Sequence, residues 1–562
     1  MSHKFFLIFK VYRTQTPMKS FCIFLTVSLV GLACQIGPVV KTSVQFHTSD
    51  PALQDLFDKA EQKALWNVRD WGEYKVLVEG AGYDGVWIET QPMGGVMYAK
   101  RNLEIAKDNI RIFLDYQRSD GRFRSVITRS DTTLSFHDAS MSGLCLPMPA
   151  LELYYWLNQD KQLLEQLYHS LEKFDDYLWK TRDSDGDGCL ETWCVWDNGE
   201  DGSIRFGKSP LSWPFDYPPT EERMKTETDY NRDKHADTTL GLPVPIESMD
   251  FMSYSYTCRD VLSKAAGILG NGRETYWREK ADQVKGKIRS YLWDPEKHAC
   301  YDRDRSNQTM NILLHNNLRC MYYGSFDQQM ADEFIKYHLV NPDEFWTKMP
   351  LPSIAANDPM FRNIPGNNWS GQPQGLTFQR SIRALENYGH YAELSMIGTV
   401  FLKAVGDSLK FTQQFDPFTG TINNTSDGYG PSMLASLEFI SRLYGIHLAQ
   451  DSIHWSCLDD DQEYRYSQKW GGRIYKMETR GSRVHCFYND REVFSFTRGA
   501  RVVSDLEGRI IKIIGITPDK KNRKIDVQYN GKAYSLSMGP NAVYRYENKF
   551  YRVPGAAYYT CQ

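Results

Sequence analysis

The chain has 562 residues, with 66 Lys and Arg set against 70 Asp and Glu for a net charge of −4. That length calls for a large core with an appended domain. The near balance of charge, with no basic block, argues against nucleic acid as a partner and, less strongly, against a polyanionic substrate.

The first 34 residues read as a targeting segment. Lys19 precedes an apolar run from Phe21 to Ala33, which is too short to span a bilayer and has the shape of a signal h-region. The preceding residues read as an upstream extension, with Met18 as the alternative start. Cys34 after Gly31-Leu32-Ala33 resembles a bacterial lipoprotein cleavage site, although Gly31 stands where an aliphatic residue is usual. Lipidation at Cys34 and simple cleavage are both open, and either predicts an exported protein: periplasmic, or anchored to a bacterial membrane. The 11 cysteines include two in this segment. The others show no metal-binding spacing, and only Cys189 and Cys194 lie close together.

From about 45 to 448 the apolar period is helical. Leu163, Leu164, Leu167, Leu171, Phe174 and Leu178 form one stripe at three- and four-residue spacing. Gly270 and Gly389 stand where C-caps belong. The pattern predicts about eleven or twelve helices in pairs, with helices near 95–118 and 138–158 among them. Long loops rich in Trp, Gly and Asp separate the pairs, which suggests a mainly α toroid with a site built by loops at one end. Beyond Ile446 the period becomes two. Asn-Asp and Asn-Gly turns split the segment, which predicts a small antiparallel β domain, sandwich-like, over 450–562.

Two loop stretches invite chemistry. In "DSDGDGCLE", Asp183, Asp185, Asp187 and Gly188 match the first half of an EF-hand-like calcium loop, with Glu191 at its ninth place. The twelfth place holds Cys194 rather than a bidentate Glu. The plainer reading is a turn between helix and loop, with no cofactor. In "TWCVWDNGEDGS", Asp197, Glu200 and Asp201 crowd against Trp193 and Trp196. The plain reading is again a solvated turn. A site that holds a sugar ring under Trp faces and protonates its leaving oxygen explains the crowding better. Neighbouring acids, Glu200 or Asp197, would raise the pKa of the proton donor.

Four segments, in order, resemble the (α/α)6 inverting glycosidases of the clan holding trehalases, the α-glucosidases of glycoside hydrolase family 63 and mannosylglycerate hydrolase. "DGVWIETQP" resembles the segment lining the sugar subsite, with Trp87, Glu89 and Gln91. "WDNGEDGS" resembles the segment carrying the general acid, which falls on Asp201, with Trp196 beside it. "NNWSGQPQGLTF" resembles a further sugar-contacting segment, with Trp369, Gln372 and Gln374. "QQFDPFTG" resembles the segment that supplies the general base. The resemblance implies cleavage of an α-glycosidic bond, in an α-glucoside or α-mannoside, with inversion, the partner being an oligosaccharide or glycoside.

The fourth segment departs from the clan where the base is expected, at Gln413. An amide cannot take a proton from water, and inverting hydrolysis needs two carboxyls roughly 6.5–9.5 Å apart. Asp416 and Glu89 are the substitutes, and Asp427 and Glu247 are more remote. A non-catalytic glycan-binding protein is the alternative that Gln413 supports. A polysaccharide lyase is a second alternative, disfavoured by the lack of positive charge.

Overall fold

The computed structural model describes residues 40–227, 240–422 and 426–560. The targeting segment and Cys34 lie outside the described residues. Among the described residues, thirteen α-helices are present, and no helix is long and apolar enough to cross a membrane.

Twelve of the helices pair as inner and outer members of a ring. The inner helices are Gln91–Tyr98, Pro147–Trp156, Met249–Leu269, Asn316–Tyr323, Gly375–Asn387 and Gly430–Leu443, each packed on the next and the last packed on the first. Leu103–Asp115, Lys161–Thr181, Glu274–Lys287, Gln328–Phe334 and Tyr391–Gly406 follow the first five as outer partners. The sixth outer helix is the first among the described residues, Pro51–Trp66, which packs against Gly430–Leu443 and closes the ring. This is the toroid of paired helices that the helical period implied, and its six pairs make it the (α/α)6 ring that the resemblance implied.

Burial separates the two rings. All of Gly430–Leu443 and Asn316–Tyr323 is buried, as a helix surrounded by others requires. Lys161–Thr181 buries one stripe, Leu163, Leu164, Leu167, Leu171, Phe174 and Leu178, and presents its other face outward. Side-chain caps mark the hairpins. Asn102 Oδ1 accepts from the Glu104 and Ile105 amides, so the single helix expected near 95–118 becomes two. Asp160 Oδ1 accepts from the Leu163 amide, and Gly270 ends Met249–Leu269 in the left-handed conformation. The helix expected near 138–158 begins only at Pro147, because a proline ring suits the first turn of a helix and not its interior. A three-stranded sheet, Gly85–Trp87, Val126–Ser130 and Thr133–His137, carries Trp87; the helical period gave no sign of strands there.

The C-terminal region is two antiparallel sheets of seven and six strands. Burial alternates along Tyr464–Trp470, and Asn530 and Gly531, both at positive φ, turn the hairpin that pairs Tyr529 with Lys532. Trp455 of one sheet meets Tyr475 and Phe494 of the other edge-on, with centroids 5.9 and 5.5 Å away. The strand Thr42–Thr48 pairs with Tyr464–Trp470. Residues 42–48 therefore belong to the sheet, although the sequence boundary at 45 assigns most of them to the helical region.

The sandwich is tied to the ring by specific bonds. The Trp470 indole N–H donates to the Trp156 carbonyl at 2.8 Å. Asn541 is fully buried: its Oδ1 accepts from the Ala392 amide and its Nδ2 donates to Glu393, each at 2.8 Å. Asn541→Ala leaves both groups unsatisfied in the interface. It is expected to cost about 1–3 kcal/mol of stability, read as a lower thermal unfolding midpoint with the β-sheet signal retained before the transition.

Candidate active site

The loops that precede the inner helices converge at the helix N-terminal ends, and the candidate residues lie there. The segment 192–206 is fixed from below. Asp197 is completely buried: its carboxylate takes the Arg182 guanidinium at 2.6 Å and the amides of Trp193 and Met141. Burial alone would raise its pKa, but Arg182 and these amides outweigh that and hold it below the usual carboxylate range. Glu200 accepts from Arg205 at 2.7 Å and Asn316 at 2.6 Å and lies 3.2 Å from Arg319. Despite its burial, the two arginines hold its pKa well below normal. Asp250 accepts from Asn198 and Asn316, and Asp302 from Arg205. Asp197, Asn198, Glu200 and Arg205 of the loop are thus bonded into a buried polar and ionic network.

These bonds revise the role expected of Asp197 and Glu200. Both are paired with arginine and anchor the loop. Trp193 likewise is no sugar platform. It is fully buried against Trp213 under the Arg182 guanidinium, 4.1 Å from the ring centroid. Trp196, on the turn Val195–Asn198, is 38% exposed.

Asp201 stands on this anchored loop, and its neighbours come from three other segments. Asn367 Nδ2 donates to Asp201 Oδ2 at 2.6 Å. Asn367 Oδ1 accepts from Gln413 Nε2, also at 2.6 Å, so a single amide bridges Asp201 and Gln413. The Tyr83 hydroxyl joins both, donating to Gln413 Oε1 at 3.3 Å and accepting from Asn367 at 3.2 Å. Tyr83 also meets Trp87 edge-on at 5.6 Å. Trp369 is buried beneath, 5.5 Å from the His315 ring and 5.2 Å from the Arg319 guanidinium, and its amide donates to the Asp201 carbonyl.

Two further carboxyls act on Asp201 electrostatically. Glu89 is pushed up to about 7 by burial, against the pull of Arg380 and Arg319, with Asp201 adding to the rise. Arg380 Nη2 approaches its Oε1 at 3.3 Å. Glu79 is pushed up to about 8 by burial and by Glu89, with Asp201 adding again and a bond to Tyr429 opposing. The acids that share a field with Asp201 are therefore Glu79 and Glu89, both raised well above the usual carboxylate range. Sequence reasoning missed Glu79, Tyr83, Asn367 and His315. The "EGAGY" turn around Glu79 carries no recognisable spacing, and Asn367 is marked only by its place at the front of the Trp369 segment.

The remaining candidates lie apart from this cluster or serve the backbone. Asp416 Oδ1 accepts from the Phe418 and Thr419 amides and Oδ2 from Asn363 at 2.8 Å. Its slight burial is outweighed by Asn363 and Thr419, which bring it to about 2. Gln91 accepts from the Trp87 amide at 3.0 Å in the first turn of its helix. Gln372 donates to Asn363, and Gln374 to the Asn368 carbonyl just ahead of Gly375–Asn387. Asp427 is paired with Lys63. Glu247 lies with Asp185 and Glu191.

Two glycines set the spacing of the acids. Gly199 has φ +67°, and a Cβ there would fall 2.1 Å from Glu89 Oε2. Gly202 has φ +65°, and a Cβ would fall 2.6 Å from Asn368 Nδ2. Both need the left-handed backbone that glycine adopts without strain.

A closed ring of six helical hairpins with acids, Tyr and Trp gathered at one end is the architecture of an (α/α)6 glycosidase. The sequence model of the mannosylglycerate hydrolase MGH1-like glycoside hydrolase domain matches residues 96–432, and the chain belongs to that family. It is a glycoside hydrolase. Among solved structures, the GH63 mannosylglycerate hydrolase from Thermus thermophilus in complex with glucose is similar in fold. That match has a TM-score of 0.54 at 18% identity, over 68% of this chain and 99% of that one. The neutral trehalase Nth1 from Saccharomyces cerevisiae is similar with a TM-score of 0.51 at 12% identity, over 66% of this chain and 74% of that one. A sialidase matches 83% of this chain and 42% of its own, with a TM-score of 0.62 at 13% identity.

Two outcomes test this geometry. Gly199→Ala should displace the Glu89 carboxylate and lower turnover at least tenfold, while left-handed strain costs about 1 kcal/mol in thermal unfolding. Glu79→Gln tests the buried acid. The folded state holds a proton on Glu79 that the unfolded chain releases above about 4.5. Its stabilising contribution is full below pH 4.5 and is lost as the pH rises toward 8. Relative to wild type, the neutral variant should gain stability between pH 5 and 8, by on the order of 3 kcal/mol.

Proposed function

We propose that the chain is an exported glycosidase that cleaves an α-glycosidic bond, in an α-glucoside or α-mannoside, with inversion at the anomeric carbon. The observation that supports this best is the bridge Asp201–Asn367–Gln413. It sets the residue matching the clan's acid and the residue matching its base one amide apart. Asp201 protonates the leaving oxygen. Trp87 and Tyr83 border the ring, and Trp196 extends the exposed apolar edge.

Gln413 leaves the water without the usual base. Asp416 is a poor substitute because one oxygen is spent on its own turn, the other on Asn363, and its basicity is low. Glu89 is the better one. Its carboxyl lies in the field of Asp201, and a pKa near 7 suits a base that works near neutrality. Arg380 holds it in place, and Glu79 keeps its proton beside it. In this reading Gln413 positions the water through its amide and leaves the proton to Glu89. Export rests on the run Phe21–Ala33, followed either by simple cleavage or by lipid attachment at Cys34. Calcium, weighed against a plain turn at Asp183, Asp185 and Asp187, has no step in this chemistry.

Asp201→Asn should lower hydrolysis of an activated α-glycoside by about 10²–10⁴-fold with the fold intact, as should Glu89→Gln. Gln413→Glu places a carboxyl of similar volume opposite Asp201. Unchanged or lower activity there supports Glu89 as the base. A large gain, together with an active Glu89→Gln enzyme, means that the wild type works without a base and that Glu89 only binds sugar.

A further inference from the structure

A second cavity, of about 280 Å³, lies between the ring and the sandwich. None of Asp201, Glu89, Gln413 and Trp369 lines it. Five inner helices form its ring wall, through Met97, Glu152, Tyr322, Arg383 and Arg442 among others. The strands Ile446–Ala449 and Ser452–Cys457 form its sandwich wall, through His447 and His454. Exposed Asn387 and Gln450 mark its mouth. The volume suits a small molecule rather than a single water.

Most charged groups of this seam are matched to one another. Glu438 accepts from Lys100 at 2.6 Å and from Arg442. Glu386 accepts from Arg501 at 2.6 Å and from Arg442 at 3.3 Å, and Glu152 pairs with Arg383. Four cations, Lys100, Arg383, Arg442 and Arg501, thus share three carboxylates. Glu386 registers the excess: Arg442 and Arg501 outweigh its burial and bring it to about 2.

Three polar groups of the lining are left over. Arg442 Nη2 donates to His447 Nε2 at 3.0 Å. A guanidinium has no acceptor, so the His447 proton sits on Nδ1. That Nδ1 is buried with no partner, as are Nδ1 of His454 and the Tyr322 hydroxyl. Burial, Arg442 and Lys100 hold His447 well below its ordinary pKa, and burial with Arg501 brings His454 to about 3, so both rings are neutral. A buried N–H without an acceptor costs free energy, and among surplus cations the acceptor that relieves it best is negatively charged.

We infer that this cavity binds a small oxyanion, a carboxylate or a phosphate, which accepts the proton of His447 Nδ1 in a hydrogen bond. His454 and Tyr322 offer the further unpaired polar atoms, and Arg383, partly exposed, the cation nearest solvent. Met93, Met97, Met148 and Ile382 give the body of the ligand an apolar wall. The anion ties Gly430–Leu443 to the strands that follow it and takes no part in bond cleavage.

Full-length protein should bind inorganic phosphate or gluconate saturably in isothermal titration. The anion at about a hundredfold excess over Kd should raise the unfolding midpoint by about 2–3 °C. A stronger response to gluconate assigns a carboxylate, and a stronger response to phosphate assigns a phosphate. Binding should persist in Asp201→Asn, which separates this site from the active site and keeps the test independent of the hydrolytic reading. His454→Phe removes an unpartnered polar atom, so without ligand it should be no less stable than wild type, and it should weaken binding at least tenfold. Arg383→Gln should weaken binding by a similar factor and leave glycoside hydrolysis unchanged. Sorbitol, a neutral polyol of the same length as gluconate, should give no shift that His454→Phe abolishes. No saturable binding of either anion, binding that both variants leave intact, or an equal response to sorbitol overturns the site.

Discussion

The buried ionic network beneath 192–206 is the constraint on which the site depends. Arg182, Arg205 and Arg319 are each almost wholly buried, and each is matched by carboxylates from other segments: Asp197, Glu200, Asp250 and Asp302. Such pairs add little net stability over an apolar core, because desolvation offsets most of the Coulomb gain. Removing one partner, however, strands a buried charge. The network therefore fixes one loop conformation more than it stabilises the fold. That rigidity lets Asp201 sit on a segment with two left-handed glycines and still face a defined set of neighbours.

Electrostatics then divides the acids by function. Carboxylates with arginine or several amide donors, Asp197, Glu200 and Asp416, are pulled below the usual range and hold structure. Glu79 is raised by burial and by Glu89, and Glu89 by burial that outweighs Arg380 and Arg319, so both rise toward neutrality. Acid–base chemistry near pH 7 needs the second kind. The pairing of helices matters here as well. The outer partner of the last inner helix is Pro51–Trp66, which braces the helix that begins at Gly430, and the Gly430 amide in turn holds the Glu79 carbonyl at 2.7 Å. The first and last parts of the ring in sequence thus meet at one acid of the site.

The sequence by itself determined the periods, the order of the quoted segments and the departure at Gln413. Helical spacing follows from one buried stripe per outer helix, and the alternating pattern beyond Ile446 from one buried face per strand; both are local consequences of backbone geometry. The segments that hold Asp201, Trp369 and Gln413 were legible because each is a run of adjacent residues. Only the tertiary structure decided which charges are spent. Asp197 and Glu200 are acids like any other in the sequence, and arginines 15, five and 119 positions away neutralise them. Glu79 carried no motif, because a lone acid acquires its character from what the fold brings beside it, here Glu89 and Asp201. A carboxylate's pKa is set by burial and by partners within a few ångströms, and those are properties of packing that no spacing along the chain encodes.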